Sequence, residues 1–288
     1  MKTGLVLEGG AMRGMFTTGV LDVLMEQGID RAFDGAIGVS AGATFGCNIK
    51  SHQIGRAIRY NKAFCKDPRY CSFREWLKSG DLFGREFCYR TLPYELDLFD
   101  TDTFAANPLE FYIVTTDCET GEAVYHRLTD GGYDDVDWIG ASASMPVFAR
   151  PVEIEGRAYL DGGVSDSIPL AAFEGMGFAR NVVVLTRPRG FRSTKEPGMP
   201  AIRVALRRYP AIVEGMATRH IGYNKTLEYI AAQEAAGATF VIAPPAPIPV
   251  GHIEHNPDRL EAAYQMGRET ATAALPALRE FLGLSSAE

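Results

Sequence analysis

The chain has 288 residues, 46% of them apolar and 23% charged, with 36 acidic and 29 basic side chains for a formal charge of -7. Those values exclude a disordered or fibrous chain and a small stapled scaffold, and the acidic balance offers nucleic acid no attractive field. The five cysteines (Cys47, Cys65, Cys71, Cys88, Cys118) have no C-x-x-C spacing or histidine framework. That argues against a zinc site or a full disulfide set and for reduced thiols in a cytosol, and no metal or cofactor is expected.

The amino-terminal apolar stretch is too short for a signal-peptide core, and no run approaches the roughly 18 to 20 apolar residues of a membrane span. A lipid substrate would therefore be met from the water side. Leu5-Val6-Leu7 reads as a buried strand, broken by Glu8-Gly9-Gly10-Ala11-Met12-Arg13-Gly14. Successive N–H groups in such a glycine turn before a helix form an anion-binding concavity. The turn lacks the G-x-G-x-x-G spacing and the Walker lysine of a nucleotide site, which leaves donors for a tetrahedral oxyanion as the better use. Arg13 has three readings: facing solvent, bracing loop carbonyls, or acting in the site.

A helix is predicted from Met15 to Gln27, stopping at Gly28, and a strand over 33–39 follows it; together they make a β-α-β unit with a right-handed crossover. At the end of that strand Gly38-Val39-Ser40-Ala41-Gly42 has the G-x-S-x-G spacing of a nucleophile elbow, in which Gly38 and Gly42 let strand and helix approach closely. Ser40 is thus the candidate nucleophile of an acyl-transfer reaction, and a helix is expected over 41–58. Both the glycine turn and Ser40 leave the sheet at carboxyl ends of strands, where ligands of open α/β sheets bind.

From Ser51 to Asp102 periodicity fades and aromatics gather; short helices and loops are expected, with some rings lining an acyl pocket. Phe111–Thr116 and Ala123–His126 read as a hairpin, with His126 structural rather than catalytic. A helix from Val136 to Ser144 ends at Met145-Pro146. Two short strands, 152–154 and 158–160, lead to Asp161-Gly162-Gly163, where Asp161 is either a turn residue bonding its own backbone or a general base for Ser40.

Further strands are expected at Val182–Thr186 and Thr239–Ile242. Between them lie short helices at 202–206 and 212–217 and a longer one at 223–236. The basic residues Arg187, Arg189, Arg192, Lys195, Arg203, Arg207 and Arg208 form a solvated face or attract anionic head groups. A proline-rich connector, 244–249, precedes a last helix opened by Asn256-Pro257 and interrupted by Pro276.

The glycine turn, the elbow, Asp161-Gly162-Gly163 and the small-residue segment Ala141–Phe148 together resemble the bacterial patatin-like lipid acyl hydrolases over about Lys2 to Pro169. The resemblance implies a three-layer α/β/α sandwich with a mainly parallel sheet. It also implies a Ser40-Asp161 dyad needing no histidine, and an oxyanion loop of Gly9, Gly10 and Ala11 with Arg13 at the family's basic position. The substrate would be a lipid or small acyl ester, hydrolysed in the manner of a phospholipase A or lysophospholipase in the cytoplasm or at the membrane surface. Ala11 departs from the family where many members have a third glycine, and Glu8 where many have aspartate; Ala11 suits the loop if it avoids positive φ. The expected division is a catalytic core over 1–185 and a helical and strand extension over 186–288 packed on it. Two other readings stand beside this one: an α/β-hydrolase triad using His252 or His255, and a lipid-binding protein with little turnover.

Overall fold

A computed structural model describes residues 2–284. Its centre is one sheet in the order β5-β6-β3-β2-β1-β7-β8, with β4 also paired to β3. The parallel strands β1 (Thr3–Leu7), β2 (Gly35–Val39), β3 (Glu110–Asp117), β7 (Arg180–Val184) and β8 (Thr239–Ile242) make its body. The antiparallel strands β4 (Ala123–Leu128), β5 (Val152–Ile154) and β6 (Arg157–Asp161) extend it beyond β3. Side chains alternate across the sheet as the two-residue period requires. Leu5 and Leu7 join the core on one face and Val6 the core on the other.

Helices cover both faces, giving the three-layer sandwich. On one side α1 (Gly14–Glu26), α2 (Ala41–Lys50) and α3 (Arg56–Phe64) pack with the final helix, which runs from Pro257 to Leu282. Short helices α4 (Phe73–Ser79) and α5 (Thr101–Ala106), with a π-type helix at Phe87–Leu96 between them, fill the aromatic region. Next in the chain are α6 (Tyr133–Ser142), α7 (Leu170–Gly175), α8 (Met199–Ala205), α9 (Pro210–Ala235) and the final helix, α10.

Three helix expectations are corrected. The helix expected over 41–58 breaks into α2 and α3, because the chain turns through His52 and Gly55, both at positive φ, and the Gly55 N–H donates to Asp22 Oδ2 at 3.1 Å. The segments expected at 212–217 and 223–236 are one helix, α9. Pro276 does not interrupt α10, since buried Leu260, Ala263 and Ala271 before it and Leu278 after it hold the helix down on either side of the single backbone bond a proline removes.

Candidate active site

β3 carries the geometry that brings the two candidate catalytic residues together. Along one edge β4 pairs with residues 111–116. The opposite edge is shared: β2 pairs with residues 110–114 and β6 with 115–117. β2 runs along this edge until Val39 faces Val114, and β6 runs towards it from the other end until Asp161 faces Thr115. The two strands therefore meet head to head, and Ser40 and Asp161, 121 positions apart in sequence, emerge at the same seam.

Ser142 from α6 closes the seam. Its hydroxyl accepts the Ser40 N–H at 2.9 Å and donates to the Val114 carbonyl at 2.6 Å, so it stands where the next rung of the β2–β3 ladder would have been. Ser40 itself is at φ 54, ψ -117, the strained corner expected of an elbow, and α2 begins at the next residue. Gly38 and Gly42 are required here: a Cβ on Gly38 would lie 2.4 Å from the Gly42 carbonyl oxygen, and one on Gly42 would lie 2.4 Å from that of Leu7.

Asp161 is buried, and one carboxylate oxygen accepts the Gly163 N–H at 2.7 Å. The turn-residue reading is therefore correct as far as it goes. The Ser40 hydroxyl lies near enough to favour the ionised carboxyl, and so the general-base reading is compatible with it. Burial raises its pKa above the usual carboxylate value, while the Ser40 hydroxyl, the Gly163 N–H and the Arg219 guanidinium each pull it back. Arg219, on α9, donates through Nε to the Gly163 carbonyl and reaches Ser167 Oγ at 3.3 Å.

The glycine turn lies against the elbow. A Cβ on Gly9 would meet the Val39 carbonyl oxygen at 3.0 Å and the Ser40 Cβ at 3.1 Å. Among the described residues the N–H groups of Gly9, Gly10 and Ala11 find no protein acceptor, whereas that of Met12 donates to the His252 carbonyl at 3.4 Å and that of Arg13 to the Gly10 carbonyl at 3.1 Å. Thr186 Oγ1 donates to the Gly9 carbonyl at 2.9 Å. The Glu8 carboxylate is buried beneath the loop, where it accepts the Tyr223 hydroxyl at 2.7 Å and the Thr186 N–H. Ala11 adopts φ 49, so the condition that it avoid positive φ is not met: alanine takes the left-handed conformation that a glycine would adopt without strain.

Arg13 is half-buried, and among the described residues its side chain ties no loop carbonyl. Its Nε is buried without a protein acceptor, and burial together with nearby Arg187 lowers its pKa to about 10 against the attraction of Glu8. His252 lies by the same arginines, and desolvation of its ring with their charges pushes it down to about 4. The His255 ring is engaged elsewhere, with Nδ1 2.6 Å from the Cys65 carbonyl oxygen. His126 stacks on Trp138 at 4.2 Å and 10°, a structural role.

Ser40, Ala11 and Met12 line an open cavity that follows α2 past Thr44, Phe45 and Cys47 towards Arg56. Its far wall is polar. Arg56, buried between the rings of Tyr60 and Phe99, donates to Asn48 Oδ1 at 3.2 Å and to the Asp97 carbonyl at 2.6 Å.

A family model described as Patatin-like phospholipase matches residues 5–174 of the chain. The chain belongs to the patatin-like phospholipase family. A second model, described as a domain of unknown function (DUF6363), matches residues 209–283. Among relatives of this patatin-like chain, the Escherichia coli "Uncharacterized protein YjjU" is 32% identical over 200 residues, 65% of this chain and 52% of the relative. The Mycobacterium tuberculosis "Uncharacterized NTE family protein Rv1063c" is 25% identical over 183 residues, 64% of this chain and 48% of the relative. The Aspergillus niger "Lysophospholipase nte1" is 31% identical over 181 residues, 61% of this chain and 11% of that protein. The aligned region thus spans about half the length of the first two relatives. Among the described residues no cluster of three or more His, Cys, Asp or Glu side chains could hold a metal ion, and no helix is long and apolar enough to cross a membrane.

Several contributors escaped sequence reasoning. Ser142 was visible only as one small residue among four, and Arg219, Tyr223 and Thr186 had no signal, because their roles depend on α9 and β7 returning to the glycine turn.

Proposed function

We propose that the protein is a serine-dependent lipid acyl hydrolase that cleaves carboxylic esters of phospholipids or lysophospholipids through an acyl-enzyme. The observation that carries this reading is the meeting of β2 and β6 on β3, which brings buried Ser40 and Asp161 to one seam beside an apolar cavity, with the acceptor-free N–H groups of Gly9 and Gly10 next to it. Ser40 Oγ attacks the ester carbonyl as Asp161 takes its proton. The Gly9, Gly10 and Ala11 N–H groups stabilise the oxyanion, and Asp161 returns the proton to the departing alcohol oxygen. Asp161 then takes a proton from water, whose oxygen attacks the acyl-enzyme, and returns that proton to Ser40 Oγ as the bond to the acyl carbon breaks and the fatty acid leaves. Residues 1–185 form the catalytic core and 186–288 the extension on it, of which Met1 and 285–288 lie outside the described residues. The cytoplasm is the compartment that suits its unpaired thiols, all five cysteines being free.

The test is hydrolysis of p-nitrophenyl esters, a phospholipid and a lysophospholipid by the parent chain, Ser40→Ala and Asp161→Asn. Each variant is expected to lose at least ~10³-fold in kcat while remaining folded, the scale of losing a nucleophile or its base. An Asp161→Asn variant of unchanged rate would overturn the dyad. A parent chain that neither turns over any ester nor labels with a serine-directed phosphonate would point to the lipid-binding reading.

A further inference from the structure

Helix α4 is unusual in burying none of its residues, although its sequence is that of an amphipathic helix. Phe73, Trp76 and Leu77 recur at the three- and four-residue spacing that places them on one face. That face looks outward: Phe73 is 64% exposed and Leu77 78%. A seven-residue helix has no stability of its own, so its position is imposed by its surroundings. Ser72 caps it by accepting the Glu75 N–H at 3.0 Å, and the Trp76 indole donates to the Val147 carbonyl at 3.1 Å.

The loop it grips adds to the same face. Val147 adopts φ 73, a conformation that a β-branched residue holds only under constraint, and the next residue, Phe148, is 43% exposed. The Phe148 carbonyl accepts the Leu82 N–H at 2.8 Å, which fastens the loop to the segment after α4. Exposed Arg74 and Lys78 flank the apolar residues on α4, and exposed Arg150 follows Phe148. None of the three forms an ion pair among the described residues. Nearby acids are engaged or few: Asp67 pairs with Arg69, Asp81 with Arg85 and the Arg150 N–H, and Glu75 is the one acid on α4.

Behind this face lies a wall of the site. A small pocket bordered by Phe148 shares Phe83, Tyr89, Ala143 and Met145 with the larger one that reaches Ser40. Aromatic and aliphatic side chains ringed by unpaired cations match the interface of an anionic bilayer, in which rings enter the head-group level and cations meet lipid phosphates. In a chain of net charge -7 only such a local basic rim can offset repulsion from that surface.

We propose that Phe73, Trp76 and Leu77 of α4, with Phe148, form a docking surface for an anionic lipid bilayer, with Arg74, Lys78 and Arg150 contacting its head groups and the acyl cavity lying behind them. The proposal deepens the hydrolase reading and rests on it only for the use to which docking is put. The full chain carrying Ser40→Ala, which cannot consume the vesicles, is sedimented with phosphatidylcholine vesicles containing or lacking phosphatidylglycerol. Binding is expected to the anionic vesicles and to fall at least tenfold in Phe73→Ser/Leu77→Ser, in Arg74→Glu/Lys78→Glu, and with phosphatidylcholine alone. In the Ser40 background the same surface variants should hydrolyse a water-soluble short-chain ester within twofold of the parent rate. Parent-like vesicle binding by both variants, or no binding by the Ser40→Ala chain, overturns the proposal. A dimer in solution that the Phe73→Ser/Leu77→Ser change dissociates would also overturn it, by making a second copy the occupant. Soluble-ester turnover without vesicle binding defeats docking alone, whereas vesicle binding through this face without any ester turnover defeats the hydrolase reading alone.

Discussion

Asp161 sets stability against reactivity. Burial raises its pKa, so the folded protein holds the proton more tightly than the unfolded chain, whose aspartates titrate near 3.9. Its contribution to stability is therefore present below that unfolded value, lost as pH rises through the folded pKa, and a cost at neutrality. Asp161→Asn should accordingly melt no lower than the parent at neutral pH while losing turnover, which thermal denaturation beside an ester assay will check. Reactivity runs the other way, since a general base must be ionised: kcat/KM should rise with pH through an acid limb above the ordinary aspartate value. Arg219 favours the carboxylate, so Arg219→Gln should displace that limb to higher pH; an unmoved limb would separate Asp161 from the rate. Ala11 makes a second residue-scale case. Alanine at φ 49 costs roughly 1 kcal/mol that glycine avoids, so Ala11→Gly should raise the melting midpoint by about 1–2 °C.

At the scale of elements, α2 acts as a ruler. The cavity follows it from Ser40 to Cys47, seven residues, or roughly 10 Å at about 1.5 Å per residue. An extended chain advances about 1.2 Å per bond, judged from ~3.6 Å per three-bond residue, so a straight path takes about eight carbons before the Arg56 wall. Bending within the cavity adds a few, and kcat/KM across a series of acyl lengths should peak near ten carbons, roughly, and fall by sixteen. A plateau through sixteen would show that the Arg56 wall yields. Strands and motifs at this scale were legible because they are local: Leu5–Leu7, the elbow and Asp161 at a strand end each carry their signal within a few residues. The breaks and joins of helices were less so. Gly55 ends a pattern that periodicity alone continues, and Pro276 reads as a break in the sequence where tertiary packing carries the helix through. Ser142 was illegible as a bridge, because the gap it fills exists only once two strands meet on β3.

In the whole molecule the segment after residue 185 is woven into the site rather than hung beside it. β8 completes the sheet, Tyr223 holds Glu8, Arg219 holds Gly163, and the His252 carbonyl takes the Met12 N–H. α10 lies on α1 at nearly backbone contact: a Cβ on Gly19 would lie 2.1 Å from the Tyr264 carbonyl oxygen, and one on Gly267 would lie 2.0 Å from that of Phe16. Gly267→Leu must therefore push the helices apart, and overpacking of this kind typically costs about 1–3 kcal/mol. Chemical denaturation should show that loss, with ester hydrolysis retained in the folded fraction. The backward reach of α9 and of the connector to the glycine turn also orders events during synthesis. A ribosome making this chain has delivered Ser40, Asp161 and the first seven strands well before it delivers Tyr223 and the His252 carbonyl. Until then Glu8 lacks its phenol and the turn its last tether, so the nascent protein carries Ser40 through the early part of its life with the glycine turn beside it unset. On the proposed hydrolase reading, competence then becomes a late event of translation, reached only as the final quarter of the chain folds back.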